Sequence, residues 1–128
     1  MDKKFSLKKA ERISLKKEIE CLFKQGEVFI SYPLRVVFLK QKPFSDATVS
    51  ILISVSKKKF KHSVKRNLMK RLIKEVYRLN KTSLIQHLQE KDNGLLIAFI
   101  FIGNELYKFN EIEIAMQKAL NILKEKTE

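Results

Sequence analysis

From Leu95 to Ile102 every residue of this chain is apolar. A strand of that composition cannot turn one face to water. It therefore predicts a central strand covered on both sides, and hence a sheet with structure packed above and below it. The run is the longest apolar stretch in the sequence. It is far too short to span a bilayer, which takes about 20 residues.

The other strands are expected around it. In the segment Ala47 to Val55, Val49, Ile51, Ile53 and Val55 alternate with Thr48, Ser50, Leu52 and Ser54. One face suits a core, and the other is mostly small and polar, as an open binding face would be. Leu34 to Lys40 reads as a strand between a break at Ser31-Tyr32-Pro33 and a turn over Gln41 to Asp46, which contains Pro43. A further short strand is placed near Val28–Ile30.

Helical periods fill the rest. Leu15, Ile19, Leu22 and Phe23 recur at helical spacing between Ser14, a candidate N-cap, and Gly26, a candidate C′ residue, so a helix is expected over about residues 14–25. Lys59 to Leu79 reads as a long basic helix. Ser83 with Gln86 has the form of a capping box opening a shorter helix over about residues 84–91. Asn110 with Glu113 has the same form before a last amphipathic helix carrying Ile112, Ala115, Ala119, Ile122 and Leu123. The fold class is α+β, with helices packed on a small sheet. The length of 128 residues and 45% hydrophobic content suit one domain with a real core, preceded by a basic arm over residues 1–13.

Charge narrows the function. There are 27 Lys+Arg against 14 Asp+Glu, a formal net charge of +13. A compact globule with that balance repels itself unless a polyanion neutralises it. Nucleic acid is the first candidate and an anionic membrane surface the second. Cys21 is the only cysteine, so no intramolecular disulfide forms, which fits a reducing cytoplasm, and its place in an apolar helical pattern predicts burial. His62 and His87 are far apart with no cysteine spacing around them, so no zinc site is readable. Residues 1–12 are basic without an apolar segment and do not form a signal peptide. There are no repeats, no linker, no paired carboxylates at an acid–base spacing and no activated nucleophile.

The long helix can be wound at about 100° per residue with Arg66 at zero. Lys70, Lys74, Asn67, Arg78 and Arg71 then fall within roughly 140°, while Val64, Leu68, Leu72, Val76, Met69 and Ile73 fill the arc from roughly 160° to 340°. Of the cations from Val64 to Arg78, only Lys65 lands among the apolar residues. Glu75 is the only acid between Lys57 and Leu79. The cations lie about one turn apart, comparable to phosphates along a strand, and each phosphate neutralised releases counterions. Lys57, Lys58, Lys59 and Lys61 stand just before this helix, where backbone N–H groups at a helix start add positive potential for a phosphate or carboxylate.

These residues resemble the bacterial ribonuclease P protein component. Ser54-Val55-Ser56-Lys57-Lys58, then Lys61 to Val64, then Arg66-Asn67-Leu68-Met69-Lys70-Arg71-Leu72-Ile73-Lys74-Glu75 look like its signature, a strand ending in SVSKK followed by A-V-x-R-N-R-x-x-K-R-x-x-R-E on a helix. Phe5-Ser6-Leu7 with Glu11-Arg12-Ile13 resembles the family's N-terminal segment, and Phe23-Lys24-Gln25-Gly26 its first-helix ending. Three positions depart: Leu68 stands for the third residue of the Arg-Asn-Arg triplet, Lys74 for the final Arg and Ser63 for the usual Ala. Leu68 removes a possible RNA contact. Lys74 keeps the charge but not the bidentate geometry.

The resemblance implies a two-layer α/β sandwich with a small mixed sheet and a left-handed β-α-β crossover, shared with a ribosomal protein domain. That hand opposes the usual rule for such connections. It implies that the catalyst is an RNA subunit, whose bound Mg2+ ions activate water to leave a 5′-phosphate on the tRNA and a 3′-hydroxyl on the leader. No organic cofactor and no protein-held metal are expected. The protein is expected to be cytoplasmic and monomeric, in a one-to-one complex with that RNA. Lys57, Lys58, Lys61, Arg66, Asn67, Lys70, Arg71 and Lys74 would dock the catalytic RNA. The 5′ leader of precursor tRNA would lie in a cleft between the first helix, with Ile19 and Phe23, and the open sheet face, with Arg35, Ser50 and Ser54. Phe23 and Ile19 also belong to the apolar stripe, so packing is the competing reading for both. The family position matching Ile19 is often aromatic, which weakens stacking there. His62 is a further possible RNA contact. The alternatives are a non-catalytic RNA-binding module of ribosomal-protein type and a DNA-binding protein. No short turn joins a paired helix in the manner of a helix-turn-helix, which disfavours the latter.

Overall fold

The computed structural model of the chain describes residues 16–41, 49–58, 60–91 and 94–127. The expected basic arm, Ser14, Leu15 and most of the turn over residues 41–46 lie outside the described residues. The elements run α1 (Lys16–Gln25), β1 (Glu27–Ser31), β2 (Leu34–Gln41), β3 (Val49–Val55), α2 (Ser63–Asn80), α3 (Thr82–Glu90), β4 (Gly94–Phe101) and α4 (Phe109–Lys126).

The strands form one mixed sheet in the order β1-β2-β4-β3. The wholly apolar strand is central, as expected. β4 pairs antiparallel with β2 and parallel with β3, and all but one of its residues are buried. The parallel pair requires a crossover, supplied by α2 and α3; this is the β-α-β unit whose hand the resemblance expects to be left. The chain thus has the α+β architecture of a small mixed sheet with helices packed on it.

The two faces of the sheet differ. Leu34, Val36, Phe38, Val49, Ile51, Val55, Leu95, Ile97, Phe99 and Phe101 point into the main core. Met69, Ile73, Val76 and Tyr77 of α2, Leu84 and Leu88 of α3, and a row on α4 that includes Ile112, Met116, Ala119 and Leu123 fill it from the other side. α4 also reaches the far edge, where the buried Ser31 hydroxyl donates to the Ala115 carbonyl at 2.8 Å. Asn80, at the end of α2, donates to Val76 O at 2.8 Å and to Glu113 on α4 at 3.2 Å. The opposite face carries a smaller cluster, Leu22 of α1 with Val37, Leu96 and Ala98. α1 rests on β2 and β4, and Ser50, Leu52 and Ser54 of β3 remain half-buried beside it.

Several local expectations need correction. Gly26 is not a left-handed C′ residue, since no glycine has positive φ among the described residues. It is needed for close approach: a Cβ there would overlap Leu22 O and lie 2.9 Å from Phe38 O. α2 starts at Ser63 rather than Lys59, because Phe60 is drawn into the core and stacks on Phe101, with centroids 5.9 Å apart. α3 starts at Thr82. Lys81 at its N-cap position is helical (φ −72, ψ −22), so the chain never extends there, and the Ser83–Gln86 box has no helix start to cap. α4 starts at Phe109, and it is Glu111 that accepts the Lys108 backbone N–H, at 2.9 Å, not the expected Asn110–Glu113 pair. Cys21 is half-buried on α1 rather than core.

Candidate nucleic-acid interface

β3 delivers the chain to a loop, described at residues 56–58 and 60–62, at the end of the sheet. The loop opens with a turn in which the Lys58 N–H donates to Ser56 Oγ at 3.1 Å. Lys57, Lys58, Lys61 and His62 are all exposed. Phe60 plugs the loop into the core at 7% exposure. The chain then enters α2 through an extended His62 whose side chain makes no cap bond.

On α2 the buried stripe is Met69, Ile73, Val76 and Tyr77. Val64 and Leu68 are 76% and 51% exposed, although the helical wheel places both against the core. The buried arc is centred at roughly 320° on that wheel and not at roughly 250°, because Tyr77 belongs to it and Val64 and Leu68 do not. Leu68, which stands where the family pattern has an arginine, therefore faces solvent. Lys65 is exposed too and joins the cations.

The rotation sorts the basic residues. Asn67, Lys70 and Arg71 are exposed, Lys74 is half-buried, and Arg66 lies at the edge of the buried arc. Arg66 Nη1 donates to the carbonyls of Phe60 at 2.9 Å and Lys61 at 3.0 Å. Those two bonds have no counterpart in a sequence pattern. Arg78 is engaged by Glu75, with Nε to Oε2 at 3.1 Å and a second bond from Nη2 to Oε1. The hydrogen bond from Arg78 holds the Glu75 carboxyl below the usual carboxylate range, against a smaller opposing effect of burial.

The expected cleft residues lie on three elements, α1, β2 and β3. Arg35 pairs with Ile30 on one side and Ile100 on the other, and Ile100 pairs with Ser54, so Ile30, Arg35, Ile100 and Ser54 form one row across the sheet. Ser50 lies two rows away, opposite Leu96. All are on the α1 face. Arg35 is exposed, and Ser54 precedes the basic loop by two residues, so the open row runs up to that loop. On α1, Leu22 takes the core position, Ile19 packs partly against the smaller cluster and Phe23 is 49% exposed. Among the described residues no group of three or more His, Cys, Asp or Glu could hold a metal ion, and no helix is long and apolar enough to cross a membrane.

Residues 7–124 match the sequence model of the ribonuclease P family. The chain belongs to the ribonuclease P protein family. It is 47% identical over 116 residues to the ribonuclease P protein component of Porphyromonas gingivalis, an alignment covering 91% of this chain and 85% of that protein. It is 32% identical over 128 residues to the component of Chlorobium phaeobacteroides, covering 92% and 86%. The fold is similar to that of the RNase P protein of Staphylococcus aureus, with TM-score 0.70 and 23% identity over 91% of this chain and 97% of that one. It is likewise similar to the RNase P protein of Thermotoga maritima, with TM-score 0.67 and 24% identity over 88% and 96%. The chain is thus the protein subunit of a ribonucleoprotein endoribonuclease that processes precursor tRNA, and its partner is ribonuclease P RNA.

Proposed function

We propose that the protein works by binding two RNAs at once, with all bond-breaking left to the RNA subunit. Exposed Lys57, Lys58 and Lys61 on the loop, continued by Asn67, Lys70 and Arg71 and the half-buried Lys74 on α2, dock the catalytic RNA through its phosphates. Such contacts position without reading sequence. The row of Arg35 and Ser54, with Ser50 beyond it and Phe23 and Ile19 on the neighbouring helix, receives the single-stranded leader of precursor tRNA. Bases there stack on the Phe23 ring, and a passing phosphate meets Arg35 in a charge-assisted contact. The observation that carries this reading is the continuity of the two surfaces, since the open row ends two residues before the basic loop.

Mg2+ bound mainly by RNA supplies the activated water. The protein's part in this reading is to bind and orient. The complex is read as one protein to one RNA, in the cytoplasm. The test is magnesium-dependent cleavage of precursor tRNA by protein alone, by RNA alone at high magnesium, and by both together. Site-specific cleavage is expected from the last two, with the protein relieving the magnesium demand. Robust cleavage by nuclease-free protein alone overturns the reading. Sequencing the RNA that co-purifies is expected to return one abundant structured species, whereas ribosomal RNA would point to a ribosomal-type module.

A further inference from the structure

We infer that Arg66 acts as the tether that fixes the loop of residues 56–62, so that Lys57, Lys58 and Lys61 meet RNA as one preformed group, and that it is not an independent phosphate ligand. The inference rests on the docking surface proposed above and gives Arg66, which the family resemblance counts among the docking residues, a different role.

The carbonyls of Phe60 and Lys61 precede the first turn of α2 and lie outside its hydrogen-bond ladder. Arg66 Nη1 reaches back and donates to both, at 2.9 and 3.0 Å. A terminal guanidinium nitrogen has two N–H groups, so both are used. The end-on fork of the two terminal nitrogens therefore gives one arm to the protein's own backbone, which leaves only the donors on Nη2 and Nε to face a phosphate. Arg66 is also half-buried at the margin of the core, whereas Asn67, Lys70 and Arg71 stand exposed. Two other anchors act at Lys58 and Phe60. Ser56 Oγ accepts from Lys58 N at 3.1 Å, and the Phe60 ring stacks on Phe101. The Arg66 side chain ties the segment that carries Lys61 to the helix that carries Lys70 and Arg71. Without it, mutually repelling lysines would have to be ordered when RNA binds, and that ordering would cost affinity.

Two roles for Arg66 predict different couplings. Arg66→Gln and Arg66→Lys are made in the full-length protein and again in a background with Lys57→Gln, Lys58→Gln and Lys61→Gln. Binding to a transcript of the cognate ribonuclease P RNA is measured at fixed salt. A tether predicts that Arg66→Gln weakens binding in the native background by about tenfold, within the span seen for residues coupled through a shared backbone segment, and by less than about twofold in the lysine-free background. Arg66→Lys should behave like Arg66→Gln. It keeps the charge, but its nitrogen ends one bond short of Nη1. Hydrogen exchange of the loop amides should accelerate in both variants without a general rise across β4. An equal loss in both backgrounds, or full rescue by lysine, would overturn the tether and make Arg66 a direct ligand. If the lysine-free protein itself binds the transcript as tightly as the native protein, the docking surface has been misplaced, which is a separate failure.

Discussion

Leu22 and Phe23 are neighbours on one helix with opposite surroundings. Leu22 is fully buried against Val37, Leu96 and Ala98, whereas Phe23 leaves half its surface in water. Leu22→Ala should therefore cost about 2–5 kcal/mol of stability, as buried leucines do. Phe23→Leu should leave the melting temperature nearly unchanged while weakening the assembled holoenzyme's affinity for precursor tRNA, by up to the roughly 1–3 kcal/mol that stacking of one base supplies. Mature tRNA, which lacks the leader, is the control ligand. Equal loss for both ligands would make Phe23 a structural residue. Glu75 is the second residue with a specific expectation. Its carboxyl pKa is lowered by the Arg78 hydrogen bond. A depressed carboxylate stabilises the fold above its unfolded-state pKa and loses that contribution as pH falls through the folded value, so the pair is intact at neutral pH. Both groups are open to water, and stability should barely respond to Glu75→Gln. RNA binding should respond. The substitution frees Arg78 from this acid and removes the only acid of α2, so affinity should rise and the salt dependence should steepen, by about 0.7–0.9 in log–log slope if Arg78 gains one phosphate. Weaker binding would mean that Glu75 holds Arg78 in a useful pose.

At the scale of elements, legibility followed how many physical constraints each segment obeys. β4 could be read outright, because a strand apolar at every position has only one kind of place to go. β3 was equally plain, and its alternation correctly put Ser50 and Ser54 on the face away from the main core. The long helix was legible as a helix but not in its rotation. Val64 and Leu68 have the right period for burial, yet both are exposed because the core-facing stripe runs through Met69, Ile73, Val76 and Tyr77, and only tertiary structure determines that. Helix starts are the least legible feature. Capping pairs at Ser83 and Asn110 are local patterns, whereas the actual starts depend on a nearly helical α2–α3 junction and on where Phe60 and Phe109 are placed. The sequence marks Gly26 as the end of α1, but glycine is required there for close approach and not for a left-handed backbone. The close approach it permits, to backbone oxygens of α1 and β2, sets how near the helix lies to the sheet. Gly26→Ala must push the two elements apart. We expect a loss of about 1–3 kcal/mol, typical of overpacking, measured by chemical denaturation. Precursor tRNA binding should fall with it, because α1 carries Phe23. A stable variant with a normal precursor-to-mature preference would show that the cleft tolerates movement of α1.

At the scale of the whole molecule, the two faces of the sheet are covered differently. Three helices cover one side and make the core, and the single helix α1 covers part of the other, leaving the row that ends beside the basic loop. Charge composition foretold a polyanionic partner but not this division, which depends on the strand order β1-β2-β4-β3 and on the parallel closure of β3 against β4. With a net charge of +13, much of the affinity for RNA is expected to come from counterion release rather than from any one side chain. That effect can be measured on the docking side alone by replacing Lys70, Arg71 and Lys74 together with glutamine. None of the three is buried, so the variant should fold, which circular dichroism checks first. Binding to ribonuclease P RNA is then titrated across salt. Each phosphate that is no longer neutralised should lower the magnitude of the log–log slope by about 0.7–0.9, so the variant should lie nearest the native protein at high salt and furthest below it at low salt. Because phosphates are bound regardless of base, the weakening should be similar for sequence-scrambled helices of the same shape. The precursor-to-mature preference of whatever holoenzyme still assembles at high protein concentration should be unchanged, since it depends on the row beside α1. An unaltered slope in a folded variant would move the docking face away from α2. A lost preference for precursor would mean that leader and catalytic RNA share one surface.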